Sequence, residues 1–175
     1  MASVGQDTLI KVSTEAATEF VESFYRALET NRQTLASFYS PMVTSILFNG
    51  NIVADGAAVQ DIFANQMPRA RYEVQSYDCQ IINSDYHAPG TAPQAPTTGR
   101  HGSGAAAQAA KKMSLLVLVS GSVRFGDDKE ARDLAGERGF SETFVLVPNP
   151  QYESGPKGRG KKQFLIQSQN FRLVV

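Results

Sequence analysis

Three long runs in the C-terminal half of the chain alternate with the period of a β-strand. In Met113 to Phe125, every second residue from Met113 to Val119, and then Val123, is apolar and shares one face. In Gly139 to Pro148, Phe140, Phe144 and Leu146 fall on one side of the pleat, and Ser141, Thr143, Val145 and Val147 on the other. Both sides therefore carry apolar groups, as expected of a central strand. In Phe164 to Val175, the apolar parity changes between Ile166 and Phe171, which predicts a bulge within Ser168 to Asn170. A fourth run, Tyr72 to Ile82, alternates weakly and turns Glu73, Gln75 and Asp78 toward water.

The N-terminal half changes period. Ala17, Phe20, Val21, Phe24 and Leu28 recur at helical spacing, with Ser13 or Thr14 as the candidate cap. Asn31 ends the pattern. Leu35, Phe38 and Tyr39 predict a short second helix that stops before Pro41. Val43 to Phe48 reads as a strand, Asn49-Gly50 as a tight hairpin turn, and Asn51 to Val53 as its return. After Asp55-Gly56, the stripe Val59, Ile62, Phe63 and Met67 predicts a third helix, ended by Pro68. Helices first and a meander of long strands afterwards make an α+β fold. Its three N-terminal helices pack on one face of a curved antiparallel sheet.

Two stretches belong to neither pattern. Residues 83–112 are rich in Ala, Pro, Gly, Ser and Thr, with almost no bulky apolar group after Tyr86. Residues 149–162 are Gly/Pro-rich and basic. Both read as loop insertions in a single domain spanning 1–175.

Composition narrows the function. Lys+Arg and Asp+Glu number 17 each, so the chain is no general coat for nucleic acid. Cys79 is the single cysteine, so no internal disulfide forms and a reducing compartment is expected. Met1 to Lys11 lacks the apolar core of a signal peptide, and no run approaches the ~18 apolar residues of a membrane span. A soluble cytosolic or nuclear protein is expected.

Candidate chemistry is sparse. His87 and His101 both fall in the first insertion, and no His stands with carboxylates at metal-ligand spacing. Cys79 has no candidate base. Asp78 and Tyr77 point to opposite faces and cannot converge as an acid–base pair. Gly99 to Gly104 lacks the Gly-Lys-Ser/Thr ending of a phosphate loop. No catalytic residue, cofactor or metal is expected. Lys157, Arg159, Lys161 and Lys162, interleaved with glycine, are candidate RNA contacts through the phosphate backbone. The second apolar face of the sheet is a stronger signal, because helices can cover only one side and a large bare apolar patch marks an interface.

Particular segments resemble the nuclear transport factor 2-like family. They are Phe20-Val21-Glu22-Ser23-Phe24-Tyr25, Leu35-Ala36-Ser37-Phe38-Tyr39, Phe48-Asn49-Gly50 with Ile52 and Gly56, Gln66-Met67-Pro68, and Tyr77-Asp78-Cys79-Gln80. Phe140-Ser141-Glu142-Thr143-Phe144-Val145-Leu146 resembles the family's F-S-Q-T-F-x-L strand, and Asn170-Phe171-Arg172 its closing D-x-F-R. The resemblance covers the chain outside the two insertions. It implies a cone-shaped fold whose sheet pairs with that of a related domain.

Within the family, the long insertions look most like those of the small subunit of a heterodimeric mRNA export receptor. That likeness implies pairing with the related domain of the receptor's large subunit and docking on Phe-Gly nucleoporins. It also implies nuclear-pore localisation, shuttling to the cytoplasm and a link to ribosomal subunit export. Thr143, Val145, Val147, Phe171, Arg172 and Leu173 are the candidate partner interface. Ile81 stands where the family's Ran-binding D-x-Q-P segment has proline, so Ran binding is not carried over. The competing readings are a homodimeric Ran import factor and a cup-shaped isomerase or dehydratase.

Overall fold

A computed structural model describes residues 5–87, 112–126, 136–152 and 161–174. Helix α1 (Gln6–Thr30) leads into a 3-10 segment (Arg32–Phe38). The hairpin β1 (Ser45–Phe48) and β2 (Asn51–Val53) follows, then α2 (Gly56–Asp61) with a π-helical continuation (Ile62–Gln66). Four long strands complete the described chain: β3 (Ala70–Asn83), β4 (Ser114–Phe125), β5 (Glu137–Pro148) and β6 (Phe164–Val174).

α1 begins two turns before the expected cap. Gly5 is its N-cap, and the Ser13 and Thr14 hydroxyls, read as capping groups, instead donate to the Ile10 carbonyl within the helix. The helical stripe is buried as its spacing requires, with Phe20, Phe24 and Leu28 at most 5% exposed. Phe20 and Phe24 pack edge-on against Phe38 and Phe144, with ring centroids 5.0–6.4 Å apart. Arg32 fastens the end of α1. Its Nε donates to the Leu28 carbonyl at 2.8 Å, and its Nη1 to the carbonyls of Phe63 and Met67. One cation thus neutralises the negative end of α1 and holds the π-helical turn.

The sheet runs β2-β1-β6-β5-β4-β3 and is open at both edges. It is mixed rather than purely antiparallel, because β1 lies parallel to β6. The connection from the helices enters alongside β6, where Ser40 N–H and Thr44 N–H donate to the carbonyls of Ile166 and Gln167. β5 lies between β4 and β6, as expected of a strand with apolar groups on both faces. The β6 bulge falls at Gln167, one residue before the expected stretch. Leu146 pairs with Ile166 and Val145 with Ser168, so Gln167 is skipped. At the β1–β2 turn, Asn49 and Gly50 both adopt positive φ (49° and 84°), the geometry their sequence favours. Gly121 is needed for a different reason: a Cβ there would lie 2.0 Å from the Glu73 carbonyl, beside the β3 bulge at Val74/Ser76.

Candidate partner-binding surface

The inner face of the sheet is filled. Met113, Leu115, Val117, Phe140, Phe144, Leu146 and Ile166 are all 0–1% exposed beneath the helices. Phe171 belongs here too. It is 4% exposed and stacks between Phe48 and Phe140, with ring centroids at 4.9 and 5.8 Å. Leu173 packs against the same core. Grouping these two with the outer face is therefore corrected: the β6 bulge shifts parity before position 171, so Phe171 and Leu173 point inward while Arg172 points out.

Set among these apolar groups is a polar network that the sequence reading missed. Glu142 is 1% exposed and accepts from the Tyr25 hydroxyl and from Gln169 Nε2, each at 2.5 Å. Gln169 Oε1 accepts from the Tyr39 hydroxyl at 2.5 Å. Burial pushes the Glu142 carboxyl up to about 7 against the opposing pull of its two hydrogen bonds. Burial, and then the neighbouring Glu142 charge, raise Tyr25 and Tyr39 well above the ordinary phenol value. The signal lay in the parity of β5, since position 142 shares a face with Phe140, Phe144 and Leu146.

Compared with the F-S-Q-T-F-x-L and D-x-F-R patterns, acid and amide have exchanged strands: glutamate replaces glutamine at 142, and glutamine replaces aspartate at 169. A carboxylate ringed by phenols is the equipment an acid–base enzyme would need. Here both oxygens are taken by the protein, and solvent scarcely reaches the group. Asp78 and Tyr77 do diverge as expected: Tyr77 bonds Thr18 of α1, while Asp78 lies on the outer face.

The outer face is laid out by strand register in three rows. The middle row crosses all six strands: Ile52, Leu47, Asn170, Thr143, Leu118 and Asp78. Beside it run Ser45, Ser168, Val145, Leu116 and Gln80. On the other side run Arg172, Ser141, Ser120 and Ser76. Ile52 is 85% exposed and Leu118 41%, with Thr143 and Val145 half-buried. Charge lies outside the interior of the middle row: at Asp78, Glu73 and Arg71 on the β3 edge, at Arg172 in the third row, and in the ion pair Arg124–Glu137 at 3.4 Å beyond it.

Val147 differs from its neighbours. It pairs with Leu165, and the two are only 4% and 8% exposed. At this end of the sheet the root of the first insertion reaches over from β3, and the Tyr86 hydroxyl accepts from Gln167 Nε2 at 3.2 Å. Thr143, Val145 and Arg172 thus share the outer surface, Val147 is already covered, and Phe171 and Leu173 lie within.

Of the basic candidates, Lys157 and Arg159 lie outside the described residues, as do His101, the Gly99–Gly104 segment and most of both insertions. Lys161 is exposed. Lys162 turns inward, with Nζ 3.7 Å from the centre of the Phe38 ring, and burial lowers its pKa. It therefore acts as a packing cation, not as a phosphate contact. With Lys161 and Phe164, it lines a hollow of about 240 Å³ against Glu19, Phe20 and Ser23 of α1. Among the described residues, no cluster of three or more His, Cys, Asp or Glu stands ready for a metal. Nor is any helix long and apolar enough to cross a membrane.

Residues 16–172 match the family model described as the nuclear transport factor 2 (NTF2) domain. The chain belongs to the NTF2 family. Among its relatives, NTF2-related export protein 1 of Bos taurus is 25% identical over 147 residues, covering 84% of this chain and 83% of the relative. Nuclear transport factor 2 of Oryza sativa is 26% identical over 158 residues, 90% of this chain and 93% of the relative. A chain of the solved complex described as Sac3N peptide bound to Mex67:Mtr2 superposes with TM-score 0.71 at 26% identity, covering 93% of this chain and 99% of the other. The Chaetomium thermophilum Mex67 NTF2-like domain complexed with Mtr2 gives 0.70 at 26% identity and the same coverage. The NTF2 cone and its helix-covered inner face are thus common to this chain and to proteins solved as pairs.

Proposed function

We propose that this NTF2-family chain is the non-catalytic small subunit of a heterodimeric nuclear mRNA export receptor, and that its outer sheet face seats the NTF2-like domain of the large subunit. The observation carrying this reading is the uncharged middle of that face. Leu47, Ile52, Leu116, Leu118 and Val145 are left without cover from the chain's own helices. A sheet-to-sheet interface of the obligate type buries more than ~2,000 Å², enough to cover all three rows. Likeness to chains of Mex67:Mtr2 complexes supports the choice of partner. The protein then works at nuclear pores, where the pair docks on Phe-Gly nucleoporins through weak, rapidly exchanging contacts. The basic loop, through Lys157, Arg159 and Lys161, adds an RNA or pre-ribosome contact.

Co-expression with the NTF2-like domain of a Mex67-type large subunit, followed by mass measurement in solution, tests the reading. A one-to-one heterodimer is expected, lost in L118E, which buries a charge at the centre of the contact. A stable homodimer that ignores the large subunit would favour the import-factor arrangement instead.

A further inference from the structure

The middle row of the outer face ends, at the β2 edge, in the most exposed large apolar side chain among the described residues. Ile52 is 85% exposed, against 41% for Leu118 in the same row. The backbone beneath it is tied down. Asn49 N–H donates to the Phe171 carbonyl at 2.9 Å, and Asn49 Oδ1 accepts from the Leu173 N–H at 2.8 Å, so two hydrogen bonds fasten the β1–β2 turn to β6. Asn51 Nδ2 closes the turn on the Phe48 carbonyl at 3.2 Å. On the inner face of the hairpin, Ile46 and Val53 are buried, and Phe48 stacks on Phe171. Ile52 itself is β-branched and stiff at χ1. A bare apolar group on so fixed a base loses little conformational entropy when it is covered.

From this we infer that Ile52 is an anchor of the heterodimer: the NTF2-like domain of the large subunit closes over the β2 edge and takes this side chain into an aliphatic or aromatic pocket. The inference rests on the proposed pairing and adds how far the contact reaches. Strands lie about 4.8 Å apart, so the four steps from Leu118 to Ile52 span about 19 Å. An obligate contact of ~2,000 Å² takes about 1,000 Å² from each partner, a disc of about 18 Å radius. Centred on Leu118, such a contact has its limit at Ile52. The rims of interfaces are polar and wet. An isoleucine at the rim stays bare, whereas one received in a pocket contributes its full burial. Residues 45–53 carry no charge, so the pocket that closes over the hairpin needs none. The other end of the row differs, since the β3 edge carries Asp78, Glu73 and Arg71 and has the character of a rim.

The test compares Ile52→Ala, Ile52→Thr and Ile52→Val. Dissociation constants are measured for each with the large subunit's NTF2-like domain, and thermal melts of the free chain check folding. Thr keeps the β-branch and the strand preference but brings a hydroxyl into the pocket. I52A and I52T are each expected to weaken the pair by about tenfold or more, and I52V by less than about fivefold. The melts are expected to stay at the wild-type value, because the side chain is 85% exposed in the free chain. If I52A or I52T pairs as tightly as wild type, Ile52 lies outside the contact and the anchor is refuted while the heterodimer stands. If wild type itself does not bind the large-subunit domain, the underlying reading fails and takes this one with it. A self-dimer of the free chain that I52A and I52T disrupt would assign the pocket to a second copy and overturn the choice of partner. Should a variant melt lower than wild type, its affinity is measured at a temperature where it is fully folded, and the same thresholds decide.

Discussion

Glu142 shows how one residue couples the interior to pH. Its carboxyl titrates near 7 in the folded chain and near the ordinary 4.5 when unfolded, because burial disfavours the charge. The folded state therefore holds a proton that the unfolded state has lost, and stability falls as pH rises from about 4.5 through about 7. At roughly 1.4 kcal/mol per unit, the window is worth about 3 kcal/mol. Unfolding free energies from urea titrations at pH 4.5 and 7.5 should therefore shift by about 3 kcal/mol in favour of E142Q relative to wild type across this interval; an unchanged difference would refute the assignment. E142Q alone also sets an amide N–H₂ against the Gln169 donor. The double variant E142Q/Q169D returns acid and amide to the family arrangement and should recover stability that the single variant loses at low pH. The exchange was legible residue by residue in the two motifs, but only the β5–β6 register brings positions 142 and 169 together.

At the scale of elements, alternation in β4 and β5 identified the buried faces correctly, because strand period and burial coincide wherever the register is regular. Phe171 and Leu173 were placed on the outer face although the predicted bulge, at either position before 171, already turns both of them inward with Ile166. The parallel β1–β6 pairing was invisible, since a four-residue strand carries no sign of its direction. The start of α1 was missed because its first two turns leave Ile10 53% exposed and so lack a buried stripe. Two substitutions test the elements. G121A forces a Cβ onto the Glu73 carbonyl and should cost about 1–3 kcal/mol by chemical denaturation, as overpacking does. K162A removes the cation from the Phe38 ring and should cost about 0.5–2 kcal/mol while leaving any RNA affinity unchanged. By contrast, alanines at Lys157, Arg159 and Lys161 should flatten the salt dependence of RNA binding in filter assays without lowering the melt.

For the whole molecule, the interface reading required that the outer face be neither sealed nor charged. Among the described residues the middle rows meet that requirement, and the end beyond Val147 is closed, where Tyr86 reaches Gln167. What could be read beforehand was that two apolar faces exist on β5. What could not was which residues of six strands line up, because rows are a product of register across long connections.

The placement of β6 has one more implication. This strand is the latest of the six to leave the ribosome, yet it sits in the interior of the sheet, flanked by β1 and β5. Until it emerges, the hairpin made early in translation and the meander made later have no strand to join them. The nascent chain must wait as two unjoined halves, each with raw edges. Holdase chaperones, or the partner protein acting as a template at the moment of release, would find their natural task in that interval.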